Sequence, residues 1–291
     1  MEVNFLAKTG NILRMKIICE EESSLLEILQ KHYPDSSKST LRGWLAKERI
    51  CLEGKIVRLA NHSVKAGECI EVGQRVQFLR GDLRLLYEDA HLVVIVKPEG
   101  LLSVATDFKN TCAHAILKRR AEQKVYPVQR LDRGTSGVMV FAYTQSTREG
   151  LQEQFKAHTV EREYAGIVEG KLEQQTGTWK SYLVEDADYF MQSTQSSDEG
   201  KFSVTHYSLL KQTQTHALVR FRLETGRKNQ IRVHCSEAGH PIAGDEKYGA
   251  KTNPAKRLCL HAYKLGFVHP VTQKKMQFEI PLPESFHKVM N

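Results

Sequence analysis

Apolar residues between positions 15 and 80 recur first at helical and then at strand spacing. Ser24 and Glu27 form an S-x-x-E pair just ahead of Leu25, Leu26, Ile28 and Leu29, which predicts a capped helix start. A second helix is predicted over 39–48, with Leu41, Trp44 and Leu45 on one side. At about 100° per residue, Lys38, Arg42 and Arg49 fall on one adjoining stripe. Residues 50–57 read as two short strands around Gly54, and Lys65-Ala66-Gly67-Glu68 leads into a strand over 69–72. Helices and strands within roughly 65 residues suffice for a small module with its own core. Residues 1–14 read as an irregular leader and 73–82 as a linker.

From Leu83 onward strand patterns dominate. Leu92-Val93-Val94-Ile95-Val96, closed by Lys97-Pro98-Glu99-Gly100, and Val138-Met139-Val140-Phe141-Ala142 are continuous apolar runs that read as buried strands. Residues 216–223 set Ala217, Val219, Phe221 and Leu223 against Leu218, Arg220 and Arg222, a half-buried strand. Ser146 and Glu149 predict the cap of a helix presenting Leu151 and Phe155. Residues 229–238 read as a helix stopped at Gly239 with Pro241 beyond, and the polar run 192–200 reads as a loop. Many strands without regular strand–helix alternation predict an α+β fold rather than a doubly wound sheet.

Composition narrows the class. Hydrophobic residues make up 41% and charged residues 26% of the 291 positions, as in an ordinary globular protein. No apolar stretch is long enough to span a bilayer and the N-terminus lacks a signal-peptide core, so no membrane partner and a cytoplasmic location are expected. The six cysteines are scattered and never form CxxC, which argues against a disulfide framework or zinc ribbon and for reduced thiols. A net charge of +8 and a pI of about 9.1 favour an anionic partner, with nucleic acid the leading candidate. No coiled-coil or additional apolar surface pattern is present, so a monomer is expected.

The stretch QRLDRGTSG at 129–137 places Asp132 between Arg130 and Arg133 in a glycine-rich turn that runs into an apolar strand. A carboxylate held by cations stays ionised at neutral pH and can act as nucleophile or base. Alone, the stretch reads more readily as a structural turn in which an arginine pairs with Asp132. Familiar alternatives are missing: there is no GxGxxG or GxxxxGK phosphate cradle, and the serine of Gly134-Thr135-Ser136-Gly137 is not in GxSxG spacing. The twelve histidines never fall into HExxH or HxE…PCxxC spacing, so no catalytic metal is expected.

A set of motifs in order carries more weight. YEDAHLVVIVKPEG at 87–100, QRLDRGTSG at 129–137, VEREYAGIVEG at 160–170, LETGRKNQIRVH at 223–234, GHPIAGDEKYG at 239–249 and RLCLHAYKLGFVHP at 257–270 follow one another. Their order and content resemble the RluA-type family of RNA pseudouridine synthases over 83–291. The resemblance implies a catalytic domain with a mixed or antiparallel sheet and flanking helices, RNA as partner and no cofactor. It places Asp132 at the catalytic aspartate, Tyr164 at the active-site tyrosine and Arg232 at the arginine that pairs with the aspartate. The chemistry agrees, because turning uridine into pseudouridine breaks a C–N glycosidic bond and rejoins the same base through carbon. It needs a carboxylate, an orienting cation and a dry pocket for the detached base. Asp132 attacking the ribose and Asp132 removing a proton from it both remain open. Tyr164 offers a ring for stacking and a phenol for proton relay.

A uridine in folded RNA must be flipped out at a cost of a few kcal/mol, which basic groups gripping phosphates offset. Arg130, Arg133, Arg227 and Lys228 lie within the motifs and are candidates for that grip. Residues 15–80 resemble the S4-type RNA-binding domain, which implies a phosphate-contacting face of Lys38, Arg42 and Arg49. Three positions depart from the family pattern: Gln129 and Asn229 stand where histidines are usual, and Arg162 stands where lysine is usual. The first two keep a hydrogen-bonding side chain and lose a titratable one. The rival readings are a non-catalytic RNA-binding or ribosome-assembly protein on the same fold, and a hydrolase using Asp132 in a retaining manner. The hydrolase would want a second carboxylic acid, which no block supplies. The RNA expected is ribosomal, with transfer RNA as the other possibility.

Overall fold

Leu25, Ile28 and Leu29 are buried along one side of the first helix, Leu25–His32, and join Leu41 and Leu45 of the second, Lys38–Ala46, in one apolar cluster. The computed structural model describes residues 15–46, 49–53, 55–73, 77–105, 111–121 and 123–291. The leader expected over 1–14 lies outside them. The Ser24 hydroxyl accepts from the Glu27 N–H and the Glu27 carboxylate accepts from the Ser24 N–H. Such a cap stabilises a helix by about 1 kcal/mol. Ile17, Ile50, Leu52, Ile70 and Val72 complete the cluster from a four-stranded sheet in the order Met15–Ile18, Cys69–Val72, Ile50–Leu52, Lys55–Ile56.

Two expectations for this region change. Arg49 lies outside the described second helix, Lys38–Ala46. Arg49 instead donates from Nε to the Gly73 carbonyl at 3.0 Å and lies 4.1 Å over the Trp44 ring. The expected linker is also partly built into the fold. Gln77–Phe78 pairs antiparallel with Arg84–Glu88, and between them the chain turns through Gly81 at φ +71°. A two-residue strand has no periodicity to read, and only its partner defines it.

Ser23–Ser24 pairs with Ser63–Val64, and the remaining described strands form a 12-stranded sheet. From one edge it runs Met191–Thr194, Thr176–Glu185, Lys201–Gln212, His216–Leu223, Glu161–Glu169, Leu260–Val268, Ser136–Ala142, Leu92–Lys97, Arg84–Glu88 and Gln77–Phe78. Tyr126–Pro127 and Lys275–Glu279 pair off this path. Leu92, Val94, Val138 and Val140 face one core cluster, while Val93, Ile95, Met139 and Phe141 face another. Burial on both faces is why these two strands are apolar without alternation. Among the described strands of this sheet one junction is parallel, Ser136 and Gly137 beside His261 and Ala262. The backbones close tightly there. Gly137 has φ +131°, and a Cβ on it would sit 2.2 Å from the Ala262 carbonyl oxygen, so only glycine fits.

Two local assignments are corrected. The helix Gln145–Lys156 is capped by Thr144, whose hydroxyl accepts from the Thr147 N–H at 3.2 Å; Ser146 lies inside the first turn. Thr144 is the residue still in extended conformation, φ −122° and ψ 154°, as a cap must be. The segment 192–200 is not all loop, because Gln192 to Thr194 are paired with Thr176–Glu185.

Candidate active site

Backbone contacts on either side hold the turn that carries Asp132. The Leu131 N–H donates to the buried Ser103 hydroxyl at 3.0 Å, and that hydroxyl donates to the Leu131 carbonyl at 2.7 Å. On the other side the Lys97 ammonium donates to the Arg133 carbonyl at 3.2 Å, and also to Pro98 and Leu101 at 2.8 and 2.7 Å. Lys97 is fully buried at the end of its strand. Burial pulls its pKa down to about 7, with Arg257 acting in the same direction and Asp132 and Glu99 against it. The Thr135 N–H closes the turn onto the Asp132 carbonyl at 3.1 Å. Asp132 itself is left with a 30% exposed carboxylate.

Arg232 comes from the helix Gln230–Glu237. Its Nη1 reaches the Asp132 carboxylate at 3.4 Å. Its main partner is another residue: Nε and Nη2 both donate to Asp245, each at 2.7 Å. Nη1 also donates to Asn229 Oδ1 at 3.0 Å, and the guanidinium lies 4.7 Å from the centre of the Tyr248 ring. Asn229 in turn donates from Nδ2 to the Tyr248 hydroxyl at 3.0 Å. It holds a left-handed conformation at the helix start, φ +53°, which asparagine tolerates better than most residues. Gln230 fixes the preceding turn. Its side-chain oxygen accepts from the Thr225 hydroxyl and the Arg227 N–H, and its nitrogen donates to Val204 and Thr205.

Tyr164 lies on the Glu161–Glu169 strand, where the register against Leu260–Val268 slips between Glu163 and Tyr164. The slip skips Tyr263, whose hydroxyl donates to Glu163. Bulges of this kind re-aim a side chain. The half-buried Tyr164 ring touches both core clusters of the large sheet. Burial raises its phenol pKa, nearby Arg162 opposes that, and Asp132 reinforces it. Asp132, Tyr164 and Arg232 line one cleft whose walls include Leu131, Leu223, Ile231 and Leu260. A carboxylate, an aromatic ring and a braced cation thus share one recess with mixed polar and apolar walls.

The candidate RNA-binding cations divide into groups. Arg130 and Arg227 line this cleft and are exposed, with Arg227 Nε donating to the Phe202 carbonyl at 3.2 Å. Arg133 is exposed and donates from Nε to the Gly100 carbonyl at 3.0 Å. Lys228 pairs with Glu185 beside the Tyr189 ring. Lys38 and Arg42 are exposed on their helix, and neither they nor Arg49 lines the Asp132 cleft. Sequence reasoning did not single out Lys97, Asp245 or Tyr248. All three stand inside the quoted motif blocks, Lys97 in the first and the others in GHPIAGDEKYG. A carboxylate next to glycine on a loop gave no local sign of an arginine thirteen residues away in sequence.

Residues 91–237 match the sequence profile of the RNA pseudouridylate synthase family. The chain belongs to this family. It is 32% identical to the ribosomal large subunit pseudouridine synthase D of Xanthomonas campestris, over 91% of this chain and 87% of that protein. It is 33% identical to the uncharacterized RNA pseudouridine synthase YhcT of Bacillus subtilis, over 94% of this chain and 95% of that protein. Among solved structures it resembles human RNA pseudouridylate synthase domain containing 4, with a TM-score of 0.59 and 27% identity over 70% of this chain and 92% of that one. The synthase family thus accounts for the mixed sheet, and membership makes the protein an isomerase.

Proposed function

We propose that this synthase converts uridine to pseudouridine in large-subunit ribosomal RNA, with Asp132 as the reacting carboxylate. The observation that carries the reading is that Asp132, Tyr164 and Arg232 line one cleft of a chain from this family. In the reaction the C1′–N1 bond breaks, the uracil turns, a C1′–C5 bond forms, the C5 hydrogen leaves as a proton and N1 takes up a proton. No electrons are exchanged with an external group. Asp132 either attacks the ribose or removes a proton from it, Arg232 keeps that carboxylate aimed, and Tyr164 stacks on the freed base. The ribosomal assignment is supported by the names of the relatives in Xanthomonas and Pseudomonas, both large-subunit synthases.

We assign the S4-like role to the part before residue 77, where Lys38 and Arg42 are exposed on one helix. Arg130, Arg133 and Arg227 are assigned to the RNA at the cleft, with Lys228 sharing its charge with Glu185. The free thiols support a reducing, cytoplasmic setting, and a monomer is the simplest state consistent with the surface. Tritium placed at C5 of uridine is lost to water when pseudouridine forms, so tritium release from labelled ribosomal RNA tests the reaction. Comparing pseudouridine maps of RNA from cells with and without the gene tests the substrate.

A further inference from the structure

Arg162 stands two positions before Tyr164 and is only 7% exposed. Its Nη2 donates to the Glu224 carbonyl at 3.0 Å, and its guanidinium carbon lies 5.4 Å from the centre of the Phe155 ring. Among the described residues no carboxylate pairs with it, and its buried Nε–H has no partner. Four other cations of the region do hold a carboxylate: Arg232 has Asp245, Arg257 has Glu99, Arg120 has Glu88 and Lys228 has Glu185. A buried charge without a counterion is costly unless something repays its lost hydration. The Arg162 tip also packs against the glycine turn at Gly226. A Cβ on Gly226 would come within 2.4 Å of Arg162 Nη1.

Arg162 lines an open cavity of about 450 Å³ that Arg130, Lys156, His158 and Arg227 also line, with no Asp or Glu among its lining residues. Arg130, Tyr164 and Arg227 line the Asp132 cleft as well, so the two recesses adjoin. An extruded nucleotide carries a phosphate on each side of its ribose, and an anion site bordering the base pocket is where one of them would lie.

We propose that this cavity is a phosphate subsite, in which Arg162 is the buried anchor for a backbone phosphodiester next to the uridine held over Tyr164. The proposal rests on the reading of the chain as an RNA synthase. The phosphate supplies the negative charge that the cavity lacks and meets the guanidinium from the cavity side, while Arg130 and Arg227 close on it from the shared rim. Burial also lowers the pKa of the Arg162 guanidinium, with Tyr164 opposing and Arg227 adding to the fall, so an anion is worth more here than at an exposed arginine.

The test uses the full chain, a fluorescent single-stranded oligouridylate and a salt series, with Arg162→Gln and Arg162→Lys beside the wild type. Arg162→Gln is expected to weaken binding and to flatten the slope of log Kd against log salt by about 0.7, the signature of one lost single-strand phosphate contact. Arg162→Lys keeps the charge and the slope but loses affinity with the fork. In tritium release from ribosomal RNA, the rise in KM for Arg162→Gln exceeds the fall in kcat. A folded Arg162→Gln with wild-type affinity and slope overturns the subsite. If that variant does not fold, Arg162→Lys decides: wild-type affinity overturns the subsite, and reduced affinity at an unchanged slope supports it. A wild-type protein that neither binds the oligouridylate nor releases tritium overturns the synthase reading as a whole.

Discussion

Arg232 gives one edge of its guanidinium, Nε and Nη2, to Asp245 at 2.7 Å each, and its remaining amino group, Nη1, reaches Asp132 at 3.4 Å. The side chain of Asp245 is 2% exposed, so Arg232 is held by a buried ion pair before it addresses Asp132 at all. Asp245→Ala removes that hold and leaves the guanidinium without its counterion. Breaking a buried pair from one side costs about 3–5 kcal/mol, and misplacement of the aiming group lowers kcat on the order of 10²-fold. Urea unfolding and tritium release measure the two effects, and a wild-type kcat in a folded variant would remove Asp245 from the site.

Asp132→Asn keeps the size of the side chain and takes away the nucleophile or base. Isomerisation is expected to vanish while the oligouridylate still binds. Appreciable tritium release from this variant would dismiss the aspartate mechanism, whichever form it takes.

Asn229 has a conformational and a bonding role at one position. Asn229→Ala puts at φ +53° a residue that tolerates the left-handed region less well than asparagine, and deletes hydrogen bonds to Arg232 and Tyr248. A loss of about 1–3 kcal/mol is expected, together with a fall in kcat because Arg232 loses a lateral stop. Equal stability and kcat in the variant would show that Asp245 alone suffices to hold Arg232.

Lys97 makes stability depend on pH in a definite direction. Its pKa falls from 10.5 to about 7 on folding. Below pH 7 the lysine is charged in both states and the cost of burying the ammonium is present in full. Between pH 7 and 10.5 the unfolded chain holds the extra proton, so stability rises with pH across that window. Lys97→Met lacks this slope. The wild-type minus variant difference in unfolding free energy should therefore grow between pH 7 and pH 9.5. A flat difference would mean that the three carbonyls keep the proton on Lys97 in the fold.

Gly137→Ala places a methyl where the Ala262 carbonyl already stands, on a backbone with φ +131°. A destabilisation of about 3 kcal/mol or more is expected, read as a lower melting temperature with loss of activity. An unchanged melting temperature would contradict the tight parallel junction.

What was legible in the chain follows the reach of the forces involved. The capping pair of Ser24 and Glu27 could be read because both partners lie in one turn. The doubly buried strands around Leu92 and Val138 could be read because burial on both faces leaves a continuous apolar run. Ser146 drew attention from Thr144 because two hydroxyls compete within three positions, and backbone conformation decides between them. Gln77–Phe78 and the first residues of 192–200 are strands only because of partners elsewhere in the chain. The same holds at the site. Asp132, Tyr164 and Arg232 stood out through their motifs, whereas the pairing of Arg232 with Asp245 and the unpaired state of Arg162 depend on what the fold brings near them.

Ser136 meets His261 across a gap of 125 residues in the chain, and Gly137 docks beside Ala262 in the same parallel junction. During synthesis the Leu-Asp-Arg-Gly turn therefore emerges long before the strand that receives it. Separations of this length make assembly slow and cooperative. A chain stopped short of residues 260–268 would contain Asp132, Tyr164 and Arg232 and still lack an active site, since possessing the residues and possessing the centre are separate events in the life of this protein.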